Sequence, residues 1–307
     1  MNTRSNLKHN IKIYGVDHSP WVQGVLLACA YHQIPIELVS YPLSFKHYWN
    51  NGLIFPALFL DDGSTYSDSF KIYELLEQKG YALGVRQLSS QERKSVQIEL
   101  EKMFSIYALG RCMPGKRMRF IRAWSLMKER PQRYTGPVAR AFLSMYFWIL
   151  IQAGIYAVRK YYGTPYRLDL IEKYLQEWEQ KLSQSPWLNG TEVGFLDFAL
   201  WGHLQCMTSG LTDELSPLIK KQPHLIEWLK KISQLPLEVP VHYTQSILDV
   251  NFQPSRIHSR IGEQIIFWCT FCVLILIFPL TLTVIALSLY KRYNNPSRSG
   301  ALIINSK

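Results

Sequence analysis

Residues 265–290 read IIFWCTFCVLILIFPLTLTVIALSLY, and no charge interrupts them. A bilayer-crossing helix needs roughly 20 mostly apolar residues, and this run exceeds that. The expected element is one transmembrane helix over 265–290, with a buried core helix as the alternative. Straight, it would extend roughly 39 Å. That is longer than the ~30 Å hydrocarbon core, so tilt or a bend at Pro279 would absorb the excess. Arg256 and Arg260 precede the run, whereas Lys291, Arg292, Arg298 and Lys307 follow it. The positive-inside tendency would keep that tail cytoplasmic. The N-terminal MNTRSNLKHNIKIYG has no apolar signal region, so the body is expected on the cytoplasmic face as well. A re-entrant helix meets both constraints. A single span remains the expectation because lone re-entrant helices are uncommon.

The net charge of +11 is unevenly placed. Residues 111–140 carry nine basic side chains against Glu129 alone, while residues 1–88 balance. No zinc-finger or RNA-binding signature accompanies the block, which argues against a nucleic-acid partner. Beside an apolar tail, anionic lipid is the better match. The five cysteines, Cys29, Cys112, Cys206, Cys269 and Cys272, are odd in number and irregular in spacing. This argues against a disulfide framework, and a reducing compartment is expected. The CxxC of Cys269 and Cys272 lies within the apolar run, where the spacing reads as chance.

Along the chain, Ile11–Val16 alternates as a strand. Ser19 and Pro20 then suit the N-cap and first position of a helix. Val22, Val25, Leu26 and Cys29 give that helix one apolar face. Pro35–Tyr41 is a second strand, and FPALFL a third. Asp61-Asp62-Gly63-Ser64 signals a hairpin, from which Thr65–Ser67 returns. A helix opens at Asp68-Ser69 and carries Ile72, Leu75 and Leu76 inward until Gly80. The remainder reads as helix. Residues 89–109 are amphipathic, and 110–140 are broken and basic. Ala141–Val158 reads as a buried helix rather than a second span, being short and holding Gln152 and Gly154. Leu168–Leu182 repeats Leu170, Tyr174 and Trp178 at steps of four. Phe195–Met207 and Leu218–Ile232 follow, and Pro236–Pro254 reads as irregular linker.

Three segments carry a resemblance to the glutathione transferase superfamily: HSPWVQGVLLACAYHQIPIELV, FPALFLDDGSTYSDSFKIYELLE and PWLNGTEVGFLDFALWGHL. The resemblance implies an α/β thioredoxin-like domain over 10–82, joined to an all-α domain over 89–235 with a basic insertion at 110–140. A linker over 236–264, the membrane helix 265–290 and a basic tail 291–307 would complete the chain. It also implies glutathione as co-substrate and no metal. Ser19, at a helix start, would stabilise the glutathione thiolate, or it would serve only as an N-cap. Pro56 matches the family's cis-proline, and Phe55 before it would pair backbone groups with the cysteinyl part of glutathione. Asp68 and Ser69 match the pair that holds the γ-glutamyl end, with helix capping as the alternative. Where relatives have Ser or Thr three residues before Asp197, this chain has Gly194. Gly is still an acceptable cap, and Val193 and Phe198 would form a hydrophobic staple.

The architecture resembles two membrane-associated branches of the superfamily. One is the tail-anchored ganglioside-induced differentiation-associated proteins. The other is membrane-associated prostaglandin E synthase type 2, whose CxxC is replaced here by His18-Ser19-Pro20-Trp21. The expected function is conjugation or reduction of hydrophobic electrophiles at a bilayer surface. A non-catalytic membrane adaptor is the alternative, and pairing of two copies is left open.

Overall fold

A computed structural model of the chain describes residues 11–15, 19–39, 56–85, 87–109, 156–157, 160–163, 167–208, 215–235, 245–248 and 261–293. Phe55, His18 and the basic stretch 110–140 lie outside these residues, as do Ala141–Val158 apart from 156–157 and most of the linker. The chain divides into two compact units. One joins Met1–Leu38, Phe55–Gln97 and Arg167–Arg256, and the other joins Val39–Ile54, Ile98–Tyr166 and Ile257–Lys307.

The first unit opens with β1 (Ile11–Tyr14), α1 (Pro20–Tyr31), β2 (Ile36–Val39), β3 (Ala57–Phe59), β4 (Thr65–Ser67) and α2 (Ser69–Gln78). The four strands form one sheet in the order β2-β1-β3-β4, the thioredoxin-like arrangement. The β3–β4 hairpin turns through Gly63 at φ 82°, while the Asp62 carboxylate accepts the Ser64 N–H at 2.8 Å. Period-two alternation puts Ile11, Ile13 and Leu58 on one buried face.

Helix α3 (Ser90–Leu109) follows, belonging to the first unit up to Gln97 and to the second from Ile98. At its start Ser89 and Glu92 exchange hydrogen bonds, a reciprocal box in which the Ser89 hydroxyl takes the Glu92 N–H and the Glu92 carboxylate takes the Ser89 N–H. The later helices of the first unit are α4 (Leu168–Gln184), α5 (Phe195–Met207), α6 (Ser216–Lys220), α7 (Pro223–Ser233) and α8 (Gln245–Leu248). The single helix expected over 218–232 is two. Pro223 offers no N–H and its ring disfavours helical backbone at Gln222, so α6 ends and α7 begins there. In α4 the fully buried residues are Ile171, Leu175 and Leu182, and the stripe Leu170, Tyr174 and Trp178 is half-buried beside them.

Helix α1 packs against both α2 and α5, so it has more than the one apolar face expected. Gln23, Gly24, Leu27 and Ala28 are buried along with Val22, Val25, Leu26 and Cys29. The crossing with α5 is backbone on backbone. A methyl group on Gly202 would lie 2.1 Å from the Pro20 carbonyl oxygen, and one on Gly24 would lie 2.9 Å from that of Phe198. No larger residue fits either place without moving a helix.

The start of α5 is organised by the buried Asp197 carboxylate. One oxygen accepts the Leu188 N–H at 2.9 Å and the Trp228 indole N–H at 2.8 Å, and the other accepts the Gly194 N–H at 3.1 Å and the Asn189 N–H at 3.4 Å. Burial pushes this carboxyl above its usual range, against the pull of those four donors. Gly194 has no side chain to cap the helix. The Asn189 side-chain oxygen does it instead, accepting the Leu196 N–H at 3.2 Å. A methyl group on Gly194 would fall 2.2 Å from the Asn189 amide. The glycine is therefore the space that the substitute cap occupies. Val193 and Phe198, the expected staple pair, are both buried.

The second unit contains the apolar run, and here one expectation is corrected. In place of one helix over 265–290 there are two, α9 (Ile261–Leu276) and α10 (Phe278–Tyr293), with a break at Ile277. Pro279 supplies no N–H to the Ile275 carbonyl, and its ring crowds that group, so the helix is interrupted just before it. Each helix is roughly 24 Å long, and no helix among the described residues is long and apolar enough to cross a membrane.

Gly202→Ala should drive α1 and α5 apart and destabilise the protein by about 1–3 kcal/mol. Denaturant unfolding would show this as a lower midpoint with an unchanged slope. Asn189→Ala should cost about 1 kcal/mol as a lost cap. Gly194→Ser should be destabilising beside Asn189, yet should recover most of that loss in the Asn189→Ala background, where its hydroxyl has room. A double-mutant cycle with no coupling between the two positions would refute the substitute cap.

Candidate functional site

The strand register gathers the sequence-predicted residues. Tyr14 at the end of β1 pairs with Ala57 at the start of β3, which pairs with Ser67 at the end of β4. Ser19 follows β1, Pro56 precedes β3, and Asp68-Ser69 follows β4. All therefore stand at one end of the sheet, where α1 and α2 begin. Phe55 lies outside the described residues.

Ser19 is the N-cap residue of α1, with extended backbone at φ −91° and ψ 121°, and its hydroxyl makes no capping hydrogen bond. Its carbonyl accepts the Gln23 N–H at 3.0 Å. The residue holds the cap position while its hydroxyl, on a half-buried side chain, is not taken by the helix. Ser19 is thus the N-cap by its backbone, without a capping bond from its side chain. Donor groups at a helix start, together with the positive end of the helix dipole, favour an anion that lies against them.

Pro56 is buried and its carbonyl accepts the Asp68 N–H at 3.0 Å, which ties the two candidate positions together. Asp68 does cap its helix, taking the Phe70 N–H at 3.0 Å. It is only 2% exposed, and its backbone sits at φ 96°. That conformation is strained for any residue but glycine, by about 1–3 kcal/mol. Strain of this kind persists only where surrounding structure enforces it, here the sheet end and the Pro56 bond. Ser69, the first residue of α2, is buried at the same corner. Sequence pattern predicted the Asp-Ser pair but gave no sign of the strained backbone, since aspartate is common at ordinary caps. It also gave no sign of Ser67, whose hydroxyl is buried without a hydrogen-bond partner among the described residues.

The other polar groups nearby are unsuited to acid–base or nucleophilic work. Burial pushes the Cys29 thiol up to about 12, so this cysteine stays protonated. Tyr73 is pushed up as well, by burial first and then by Cys29 and Asp68. His203 on α5 is buried edge-on to the Trp21 ring at 5.8 Å, and burial pushes its imidazole down to about 3. It is neutral at physiological pH. Among the described residues, the sheet end offers the Ser19 and Ser67 hydroxyls, two helix N-termini and the Asp68-Ser69 corner. Among the described residues, no cluster of three or more His, Cys, Asp or Glu side chains is arranged to hold a metal ion.

Residues 157–237 match the family model for the glutathione S-transferase C-terminal domain. No curated protein matches the chain. Among solved structures, the chain is similar to a glutathione S-transferase from Rhodospirillum rubrum F11 at 17% identity and a TM-score of 0.43, over 82% of this chain and 97% of that one. It is similar to glutathione transferase F2 from Populus trichocarpa at 16% identity and a TM-score of 0.44, over 78% and 97%. A glutathione S-transferase from Methylobacillus flagellatus, solved with glutathione bound, has 16% identity and a TM-score of 0.42, over 73% and 95%. The fold assignment itself rests on the strand order and the family match. A thioredoxin-like sheet comes first, and helices similar to the glutathione S-transferase C-terminal domain follow it.

Proposed function

We propose that this chain is a membrane-held, glutathione transferase-like enzyme that binds glutathione at the sheet end and activates its thiol toward hydrophobic electrophiles. The observation that carries the reading is the register Tyr14–Ala57–Ser67, which levels the strand ends that adjoin Ser19, Pro56 and Asp68-Ser69 in the chain. Glutathione carries a carboxylate and an ammonium at its γ-glutamyl end and a thiol in its middle. The N-terminus of α2 and the Ser69 hydroxyl suit the carboxylate, and the Asp68 carboxylate suits the ammonium. Phe55 and Pro56 would present backbone groups to the cysteinyl part. Ser19 would then meet the sulfur. A free thiol of pKa ~8.5 is mostly protonated at neutral pH, so a hydroxyl donor and a helix dipole raise the reactive fraction.

The membrane part of the reading is supported by α9 and α10. Ile265, Trp268, Leu276, Leu280 and Tyr290 are exposed, and no charge occurs from 265 to 290. An apolar surface of that extent marks a lipid or protein contact. Lipid is the occupant we favour. Lys291 and Arg292 close the run, as suits anionic headgroups, and Trp268 and Tyr290 lie near its two ends, as suits an interfacial belt. The break at Ile277 makes the anchor two half-length helices in series. The body would then stand on the cytoplasmic side, with the basic stretch 111–140 available to anionic lipid.

Ser69→Ala should weaken glutathione binding by about 1–3 kcal/mol, the cost of a lost charge-assisted hydrogen bond, as measured by calorimetry. Ser19→Ala should instead leave glutathione affinity nearly intact and lower kcat with an aromatic electrophile. Equal kcat for parent and variant would reduce Ser19 to a backbone cap. Deleting residues 261–307 should move the chain from the membrane to the soluble fraction. Retention of the truncated chain by neutral vesicles would rule out the tail as anchor.

A further inference from the structure

Helix α9 has two different sides. Phe267 and Thr270 are covered, and Gln264 and Phe271 are half-buried on the same side. Ile261, Ile265, Trp268, Val273 and Leu276 are exposed on the other. Cys269 and Cys272 are both free and both exposed. At 100° per residue they fall one turn apart within the exposed apolar arc. The remaining described cysteines, Cys29 and Cys206, are buried.

We infer that Cys269 and Cys272 are S-acylation sites that accept long-chain fatty acyl groups from an acyl thioester. The inference rests on the anchoring reading above and adds a modification to it. A thiol is acylated where the donor's polar head stays in water and its chain enters lipid. Exposed Trp268 places that boundary, since tryptophan rings settle at headgroup level. Cys269 is the next residue, and Cys272 lies about 5 Å farther along the helix. Juxtamembrane cysteines are usual acceptors of this modification. The rival reading of the pair as a redox CxxC does not fit its position. Redox pairs work from a helix N-terminus, whereas Cys269 is more than two turns inside α9.

In the reaction, the cysteine sulfur attacks the carbonyl carbon of the donor thioester. A new carbon–sulfur bond forms and the donor's carbon–sulfur bond breaks. The proton lost by cysteine ends on the departing thiol, and nothing is oxidised or reduced. Two acyl chains beside the apolar arc would convert a half-length helix contact into a firm one, since stable anchoring takes more than one lipid signal.

The test uses the full chain in vesicles of phosphatidylcholine and phosphatidylserine, incubated with palmitoyl-coenzyme A. Free thiols are blocked, thioesters are cleaved with hydroxylamine, and the released thiols are counted by a maleimide mass tag, while flotation reports membrane association. The proposal expects two hydroxylamine-dependent tags, with one lost in Cys269→Ala, one in Cys272→Ala and both in the double variant. A floating chain with no hydroxylamine-dependent tags overturns acylation while leaving the anchor intact. So do tags that persist in the double variant, or tags that appear on reduction alone, as a disulfide would give. A chain that fails to float overturns the anchoring reading, and the acylation proposal with it.

Discussion

The packing of α1 on α5 through Gly24 and Gly202 is the contact on which the candidate site depends. Ser19 has its position because α1 does, and α1 is held where its backbone touches the backbone of α5. Helix axes can approach so closely only where a side chain is missing on each surface. The crossing lies within one turn of the Ser19 end, at Pro20 itself. A shift of α5 would therefore bear on the start of α1, beside Ser19. The Asp197 carboxylate fixes the other partner. It collects N–H groups from the preceding loop, from its own helix start and from Trp228 on α7. The polar network and the glycine contact thus act in series: one orients α5, and the other transmits that orientation to α1.

The sheet adds the second half of the corner. The end of β1, the start of β3 and the end of β4 are level with one another. The Asp68 N–H to Pro56 carbonyl bond then closes the gap between the third and fourth strands. The same bond holds Asp68 in its strained conformation. Its buried cap to Phe70 and the core residues Ile72, Leu75 and Leu76 hold the start of α2 in place.

Much of this was legible in the sequence, for identifiable reasons. Thr65–Ser67, Phe195–Met207 and the Asp68-Ser69 helix start are each marked by strong local chemistry: a turn ending in Asp-Gly, a cap before an apolar run, and an Asx residue before a helix. The missed features are non-local. The Asn189 cap reaches α5 from the preceding loop, so it leaves no S-x-x-E pattern. Two prolines are local signals instead: Pro223 splits an otherwise continuous 3.6-residue periodicity, and Pro279, expected to bend the apolar run, breaks it into two helices. Hydrophobicity alone predicts the extent of a helix and not its interruption. Burial of α1 on more than one side was illegible for a different reason. Gly24 carries no sign of burial until α5, far along the chain, packs on it.

The central claim is that this corner makes the glutathione sulfur more acidic. The direct measurement is the ultraviolet absorbance of the glutathione thiolate against pH, in the presence of saturating full-length chain in detergent micelles. The account predicts a titration midpoint below the ~8.5 of a free thiol. A midpoint equal to that of free glutathione, in the presence of measured binding, would contradict it. The corner would then be a binding module, and the fold would serve as a membrane-bound adaptor.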